Sequence, residues 1–234
     1  MNELISKLAD KNYIRLGSKL GSPIVINCVP GAGKTTLIRE LLAEHSCFAA
    51  FSTVRADQEN LVGRKIEKFT GEVPCDKLVI LDEYQNLPSI PKGVFAVFGD
   101  PLQSCKPISL EANFISIKSH RFGKNTEKLL RKLNFEVVAD KADTVLVEDI
   151  FGSELEGQVV CFEEEVVKLL NSHSVDFLEP QNLQGLTFKS VTFITTGTVT
   201  EANKHFHLIC LTRHSDSLKI LSPGAVYPNS ELCH

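Results

Sequence analysis

Residues 31–36 read Gly-Ala-Gly-Lys-Thr-Thr. Gly31 and Gly33 permit backbone turns that aim amide N–H groups at phosphate oxygens, with Ala32 and Thr36 completing the loop. Lys34 has the reach for β- and γ-phosphates, and Thr35 offers a hydroxyl to Mg²⁺. The full phosphate-loop pattern opens with a glycine, and here Cys28 stands in that place. That position mostly serves close packing at the end of the incoming strand, so a small side chain removes no phosphate contact. Pro30 stiffens the turn. A chance glycine turn is the competing reading.

The stretch LVILDEYQ (78–85) ends an apolar run in two acids. On a strand neighbouring the loop, Asp82 would hold Mg²⁺ and Glu83 would polarise an attacking water. The third run, VFAVFGDPLQ (94–103), ends in Gly99-Asp100-Pro101 with Gln103 close behind. A Gln amide can bond both a γ-phosphate and the attacking water. A plain Gly-Asp-Pro turn is common, so this segment is weak evidence alone.

Such groups need strands that end together. Ile24 to Val29 is a compact apolar run, followed by the glycine turn and a helix expected over 35–45 with Leu37, Leu41 and Leu42 on one side. Leu4, Ile5 and Leu8 suggest a short amphipathic helix before it. The runs at 47–53, 77–84, 93–100 and 113–119 read as buried parallel strands. From about residue 118 the alternation restarts. A helix is expected over 125–133, strands at 135–141, 144–149 and 158–162, a helix opened by three acids over 163–173, and late strands at 190–197 and 217–223. The fold expected is α/β with parallel sheets in two units of roughly equal size, 1–117 and 118–234, without a Pro/Gly/Ser linker between them.

Composition sets outer limits. The 234 residues are 43% hydrophobic and 23% charged, with a formal charge of −4, so no global basic field draws the chain to nucleic acid. Seven scattered cysteines without a C-x-x-C argue against a zinc knuckle or disulfide framework. His205-x-His207 has no Cys or carboxylate partner at ligand spacing, which argues against a metal pair. No apolar leader opens the chain, and no run approaches the roughly 20 residues of a membrane span. A soluble cytosolic protein is the expectation.

A local basic run does exist. Lys118, Arg121, Lys124, Lys128, Arg131 and Lys132 accompany a single acid, Glu127, and four of them fall on one helical face. Arg64, Lys65 and Lys68 form a smaller cluster. Phe122 is the nearest aromatic, as a stacking platform or as a core residue. Backbone-directed, salt-sensitive RNA contact is one reading of this run, and a solvated helix face is the other.

The second half adds SHRF (119–122) with Arg121, LQGLTF (183–188) with Gln184, Gly185 and Thr187, and LTRH (211–214) with Arg213. The ordered series GAGKTT, LDEY, GDPLQ, SHRF, QGLTF and LTRH resembles the motifs of superfamily 1 helicases. In its compact form, over about residues 23–222, it is similar to the triple gene block protein 1 family of plant RNA viruses, the potexvirus and carlavirus type.

The resemblance implies two RecA-like domains with ATP between them. Gly31, Ala32, Gly33, Lys34, Thr35 and Thr36 would bind the nucleotide, and Thr35 and Asp82 would serve Mg²⁺. Glu83 and Gln103 would act in catalysis, with Arg121 and Arg213 as arginine fingers from the second domain. Thr53, Gly185 and Thr187 would couple RNA to hydrolysis. Two departures from the helicase pattern stand out: Glu179 where a Thr is usual, and Cys210 where Ala is usual. A carboxylate at 179 repels RNA phosphates.

The family further implies movement of viral RNA through plasmodesmata, suppression of RNA silencing, a place in the host cytoplasm, self-association, and contact with coat protein and other viral movement proteins. Two other functions compete with an RNA motor. One is a nucleotide-binding RNA scaffold or silencing suppressor with little unwinding. The other is a small P-loop kinase, which would need an arginine-bearing lid and has no use for the late Gln-Gly and Leu-Thr-Arg segments.

Overall fold

The apolar runs become strands of two mainly parallel sheets in the computed structural model, which describes residues 2–59, 63–105, 108 and 110–228. The chain forms two compact units, Met1–Lys118 and Ser119–His234.

In the first unit, α1 (Asn2–Asp10) is followed by β1 (Ile14–Arg15), β2 (Ile24–Cys28), α2 (Lys34–Glu44), β3 (Phe48–Ser52), β4 (Ile66–Lys68), β5 (Leu78–Asp82), β6 (Val94–Gly99) and β7 (Phe114–Ser116). The sheet order is β1-β7-β2-β6-β5-β3-β4, with β1 antiparallel to β7 and the remaining pairs parallel. β2, β5 and β6 are buried along nearly their whole length, as strands covered on both faces must be. Val25, Val79, Leu81, Tyr84, Val94 and Val97 form one core cluster. α2 buries Leu37, Ile38, Leu41 and Leu42, and Leu4 and Leu8 of α1 are likewise buried.

Two expectations need correction here. β6 lies between β2 and β5, so the strand ending in Asp82 is not the immediate neighbour of the loop strand. The single strand expected over 113–119 is two: β7 joins the first sheet, and β8 (Lys118–Ser119) pairs with β9 (Val138–Ala139). One alternating apolar run cannot reveal that the chain leaves one sheet for another partway along it. β4 escaped notice because Ile66 is its one buried residue.

β8 straddles the division, and in the second unit α3 (Lys124–Lys132) and β9 precede β10 (Thr144–Asp149), β11 (Gln158–Val160), α4 (Glu164–Ser172), α5 (Pro180–Leu183), β12 (Phe188–Ile194), α6 (Lys204–Leu211) and β13 (His214–Ser222). Its main sheet is wholly parallel, in the order β10-β13-β12-β11. Val159, Cys161, Val166, Leu170, Ile194 and Leu221 form its core cluster. α6 was not foreseen, because KHFHLICL lacks the polar face that marks an amphipathic helix; most of its side chains are buried. His205 and His207 belong to this helix, and the His207 ring meets Tyr227 Oη at 2.9 Å and Thr198 O at 3.3 Å.

Asp143 ties this unit together. Its carboxylate accepts the backbone N–H of Gly123 (2.9 Å) and of Asn125 (2.8 Å) and the Thr126 hydroxyl, and it meets His214 Nε2 at 3.3 Å. It thereby caps the start of α3 from a distant loop, where no local side chain does so. Burial works against the charge, yet these hydrogen bonds hold Asp143 well below the usual carboxylate range.

The folded value therefore lies below the unfolded one, about 3.9. The stabilisation is complete above that pH and fades as pH falls through the folded value. Asp143→Asn should cost about 3 kcal/mol, read as a lower urea midpoint. The gap from wild type should narrow as pH falls through the folded value of Asp143.

Candidate nucleotide site

β2 delivers the loop. Val29 N–H donates to Ser116 O at 3.0 Å, and Ala32 N–H donates to Val29 O at 3.2 Å, closing the turn. Gly31 (φ 79°) and Gly33 (φ 84°) adopt the left-handed conformation that glycine favours. A Cβ on Gly33 would touch nothing within 4 Å, so backbone conformation, not space, sets the requirement there. Leu37 N–H then donates to Gly33 O at 3.0 Å and α2 begins. Cys28 is buried, with Sγ 3.8 Å from Tyr13 Oη, and burial pushes its thiol up to about 12. It is a neutral packing residue, as a small substitute for glycine should be.

Lys34 is 7% exposed, and its Nζ lies 3.4 Å from Glu83 Oε1. Burial opposes its charge, but Glu83, Asp82 and Asp100 outweigh burial and raise its pKa above the ordinary lysine value. Asp82 closes β5 and is buried. Burial, then the neighbouring Glu83, push it well above the usual carboxylate range.

Glu83 has φ 58° and ψ 43°, a left-handed conformation that costs a non-glycine residue about 1 kcal/mol or more. Its surroundings hold it there. Thr53 Oγ1 donates to Glu83 O (2.8 Å), and Gln85 Nε2 donates to Glu83 Oε2 (2.6 Å). Gln85 Oε1 accepts the Asp100 N–H at 3.2 Å, and Asp100 Oδ2 accepts Gln103 Nε2 at 2.8 Å.

The ends of β2, β5 and β6 thus bring Lys34, Asp82, Glu83 and Gln103 into one connected group. Thr53, at the end of β3, joins it through the Glu83 backbone. Sequence reasoning assigned no role to Gln85 or Asp100, although both lie inside the quoted segments; nothing in a linear motif says which buried amide faces which acid. Thr35 hydroxyl and Asp82 carboxylate are hard oxygen donors of the kind Mg²⁺ takes. Three carboxylates (Asp82, Glu83, Asp100) also influence one lysine ammonium, an imbalance that a divalent cation would relieve.

In the second unit, Arg213 is 2% exposed and its Nε donates to Ile209 O at 3.1 Å, near the end of α6. Arg121 Nη1 donates to Thr212 O at 3.1 Å. The two arginines, far apart in sequence, therefore both bond carbonyls at the carboxyl end of one helix, where cations are favoured. Gly185 (φ 77°) and the exposed Thr187 lie in the turn between α5 and β12. Glu179 precedes α5 and accepts the Asn182 N–H through its backbone carbonyl at 2.9 Å. Cys210 is fully buried in α6.

On α3, Lys124, Lys128, Arg131 and Lys132 are all exposed, and Arg131 pairs with Glu127 at 2.9 Å. Phe122 is 0% exposed, a core residue and not a stacking platform. In the smaller cluster, Lys68 Nζ donates to Thr53 O (2.8 Å) and Val54 O (2.6 Å), and Lys65 pairs with Glu59 at 3.4 Å. These amines are engaged by their own surroundings. Among the described residues, no helix is long and apolar enough to cross a membrane.

Residues 24–222 match the viral superfamily 1 RNA helicase core domain. The movement and silencing protein TGBp1 of Poplar mosaic virus is 42% identical over 233 residues, 98% of this chain and 100% of that protein. Its namesake in Lily symptomless virus is 41% identical over 230 residues, 98% and 100% of the two chains. In Papaya mosaic potexvirus the identity is 34%, over 95% and 96%.

Among solved structures, the PRRSV helicase superposes with a TM-score of 0.61 at 16% identity, over 99% of this chain and 55% of that one. An arterivirus nonstructural protein 10 helicase solved with DNA gives 0.52 at 18% identity, over 95% and 58%. The chain spans a little over half the length of these helicases, and the likeness is one of fold. Sequence and fold agree: the chain belongs to the TGBp1 family of viral movement and silencing proteins, built on the superfamily 1 RNA helicase core, a nucleotide-hydrolysing type of domain.

Proposed function

We propose that the chain is a Mg²⁺-dependent ATPase of RNA helicase type that binds viral RNA and remodels or transports it between plant cells, and that it suppresses RNA silencing. The observation that carries the enzymatic part is the connected group Lys34–Glu83–Gln85–Asp100–Gln103 at the ends of three parallel strands. The amides of residues 31–36 take the triphosphate, and Thr35 and Asp82 hold the metal. Mg²⁺ supplies charge neutralisation on the phosphate oxygens.

Phosphates compete with Glu83 for the Lys34 ammonium. Drawing Lys34 away leaves Glu83 Oε1 to accept a proton from the attacking water. Gln103 orients that water and reports the γ-phosphate, while Arg121 and Arg213 supply cations to the charge that develops on it. Thr53, Gly185 and Thr187 couple RNA to the cycle, Thr53 through its bond to the Glu83 backbone. The movement and silencing roles, the plasmodesmal and cytoplasmic setting, self-association, and contact with coat protein and other movement proteins rest on family membership.

A second reading has its own support. Phe122 is buried and cannot stack on a base, and Glu179 stands where the helicase pattern has a Thr, which favours a nucleotide-binding RNA scaffold or silencing suppressor with little unwinding. ATP turnover with and without single-stranded RNA, for wild type and Lys34→Ala, separates the two. RNA-stimulated turnover is expected in wild type. The variant should lose it and bind ATP about 10- to 100-fold more weakly, the worth of one charge-assisted contact. RNA binding by a wild type that turns over no ATP would instead establish the scaffold.

A further inference from the structure

We propose that Gln85 is a positioning residue for hydrolysis: its side-chain amide holds the Glu83 carboxylate and links it to the Asp100–Gln103 pair. This rests on the reading of Glu83 as the group that activates water.

Gln85 is 2% exposed and lies in the short helical turn Tyr84–Asn86, directly after the strained Glu83. Its Nε2 donates to Glu83 Oε2 at 2.6 Å, and its Oε1 accepts the Asp100 N–H at 3.2 Å. The neighbours fix which way the amide points, since a carboxylate can only accept and a backbone N–H can only donate. The position needs a side chain that donates at one end and accepts at the other. A carboxylate at 85 could not donate to Glu83 while ionised, and an ammonium could not accept from Asp100. The neutral amide does both without adding charge to a site already crowded with acids.

Gly99 supplies an independent observation. A Cβ there would lie 2.3 Å from Gln85 Oε1 and 2.7 Å from the Tyr84 ring. Gly99 has no positive φ, so its glycine is needed for space: the end of β6 approaches the Gln85 amide closely enough to leave no room for a methyl group. On the other side, Tyr84 Oη donates to Asn27 Oδ1 at 2.8 Å, anchoring the turn to β2. Gln85 is thus clamped between β2, β5 and β6. Gln103 is connected to the Glu83 carboxylate through the Asp100 side chain, the Asp100 backbone N–H and the Gln85 amide.

The test is steady-state ATP turnover in the full chain with single-stranded RNA present. Gln85→Met keeps the volume and removes both hydrogen bonds. It should lower kcat about 10²-fold, the cost of misplacing a catalytic group by about 1 Å. KM and ATP affinity should stay within about twofold, a split that general loss of structure would not produce. Gln103→Ala and the double variant complete a cycle. Residues linked by one chain of contacts are non-additive, so the double variant should lose clearly less than the product of the two single losses.

Should Gln85→Met fail to fold, Gln85→Asn keeps the amide and withdraws it by one methylene, and the same kcat loss at unchanged affinity is expected. Additive losses in the cycle, or an unchanged kcat in a folded variant, would overturn the relay while leaving the ATPase reading intact. A wild type without turnover would overturn both.

Discussion

Arg213→Ala should lower ATP hydrolysis by about 10³-fold or more while leaving ATP affinity within about twofold. The proposal assigns Arg213 to charge that develops only as the γ-phosphoryl group leaves, so its loss should fall on kcat and not on binding. Its surroundings suit a pre-oriented cation. The guanidinium is buried, its Nε is anchored to Ile209 O, and the Arg121 guanidinium reaches the adjacent Thr212 O.

The anchor also predicts a modest structural cost, about 1 kcal/mol for the lost hydrogen bond. Rates should therefore be compared per folded molecule, with the folded fraction taken from circular dichroism. Arg213→Lys keeps the charge but not the planar fork, and should recover only part of the loss. Hydrolysis equal to wild type in Arg213→Ala would remove the assignment.

Glu83→Gln should reduce turnover by about 10³-fold, in the range for losing a general base. Its effect on the fold's stability should be small, because relief of repulsion at Asp82 opposes loss of the ion pair with buried Lys34. The repulsion that pushes Asp82 up comes in part from Glu83, so neutralising Glu83 relieves it. Lys34 loses its 3.4 Å partner and is free for phosphate, so ATP should bind as tightly as in wild type or more tightly. Nucleotide titration by fluorescence and a thermal melt would check both halves. A variant that turns over ATP at the wild-type rate would show that Glu83 does not activate water.

Much of this was legible along the chain, for a local reason. A phosphate loop is contiguous: strand, glycine turn and helix N-terminus follow one another, and the backbone freedom at Gly31 and Gly33 is written in residue type. The strands at 24–28, 78–82 and 94–99 were legible too, because a strand buried on both faces must be apolar throughout. The acids at their ends were visible for the same reason.

Contacts between strand ends were not legible. That Thr53 holds the Glu83 carbonyl, that Gln85 faces Asp100, and that Gly99 must lack a side chain follow from β6 lying between β2 and β5 and from β3 lying on the far side of β5. Asp143, an unremarked acid in a loop, caps a helix because folding carries it to the start of α3. The stretch 113–119 divides between two sheets for the same kind of reason. Residue type and spacing encode what a chain can do within one turn or one strand. Which buried donor meets which acceptor depends on the order in which distant strands pair, and that order is settled by the packing of the whole unit.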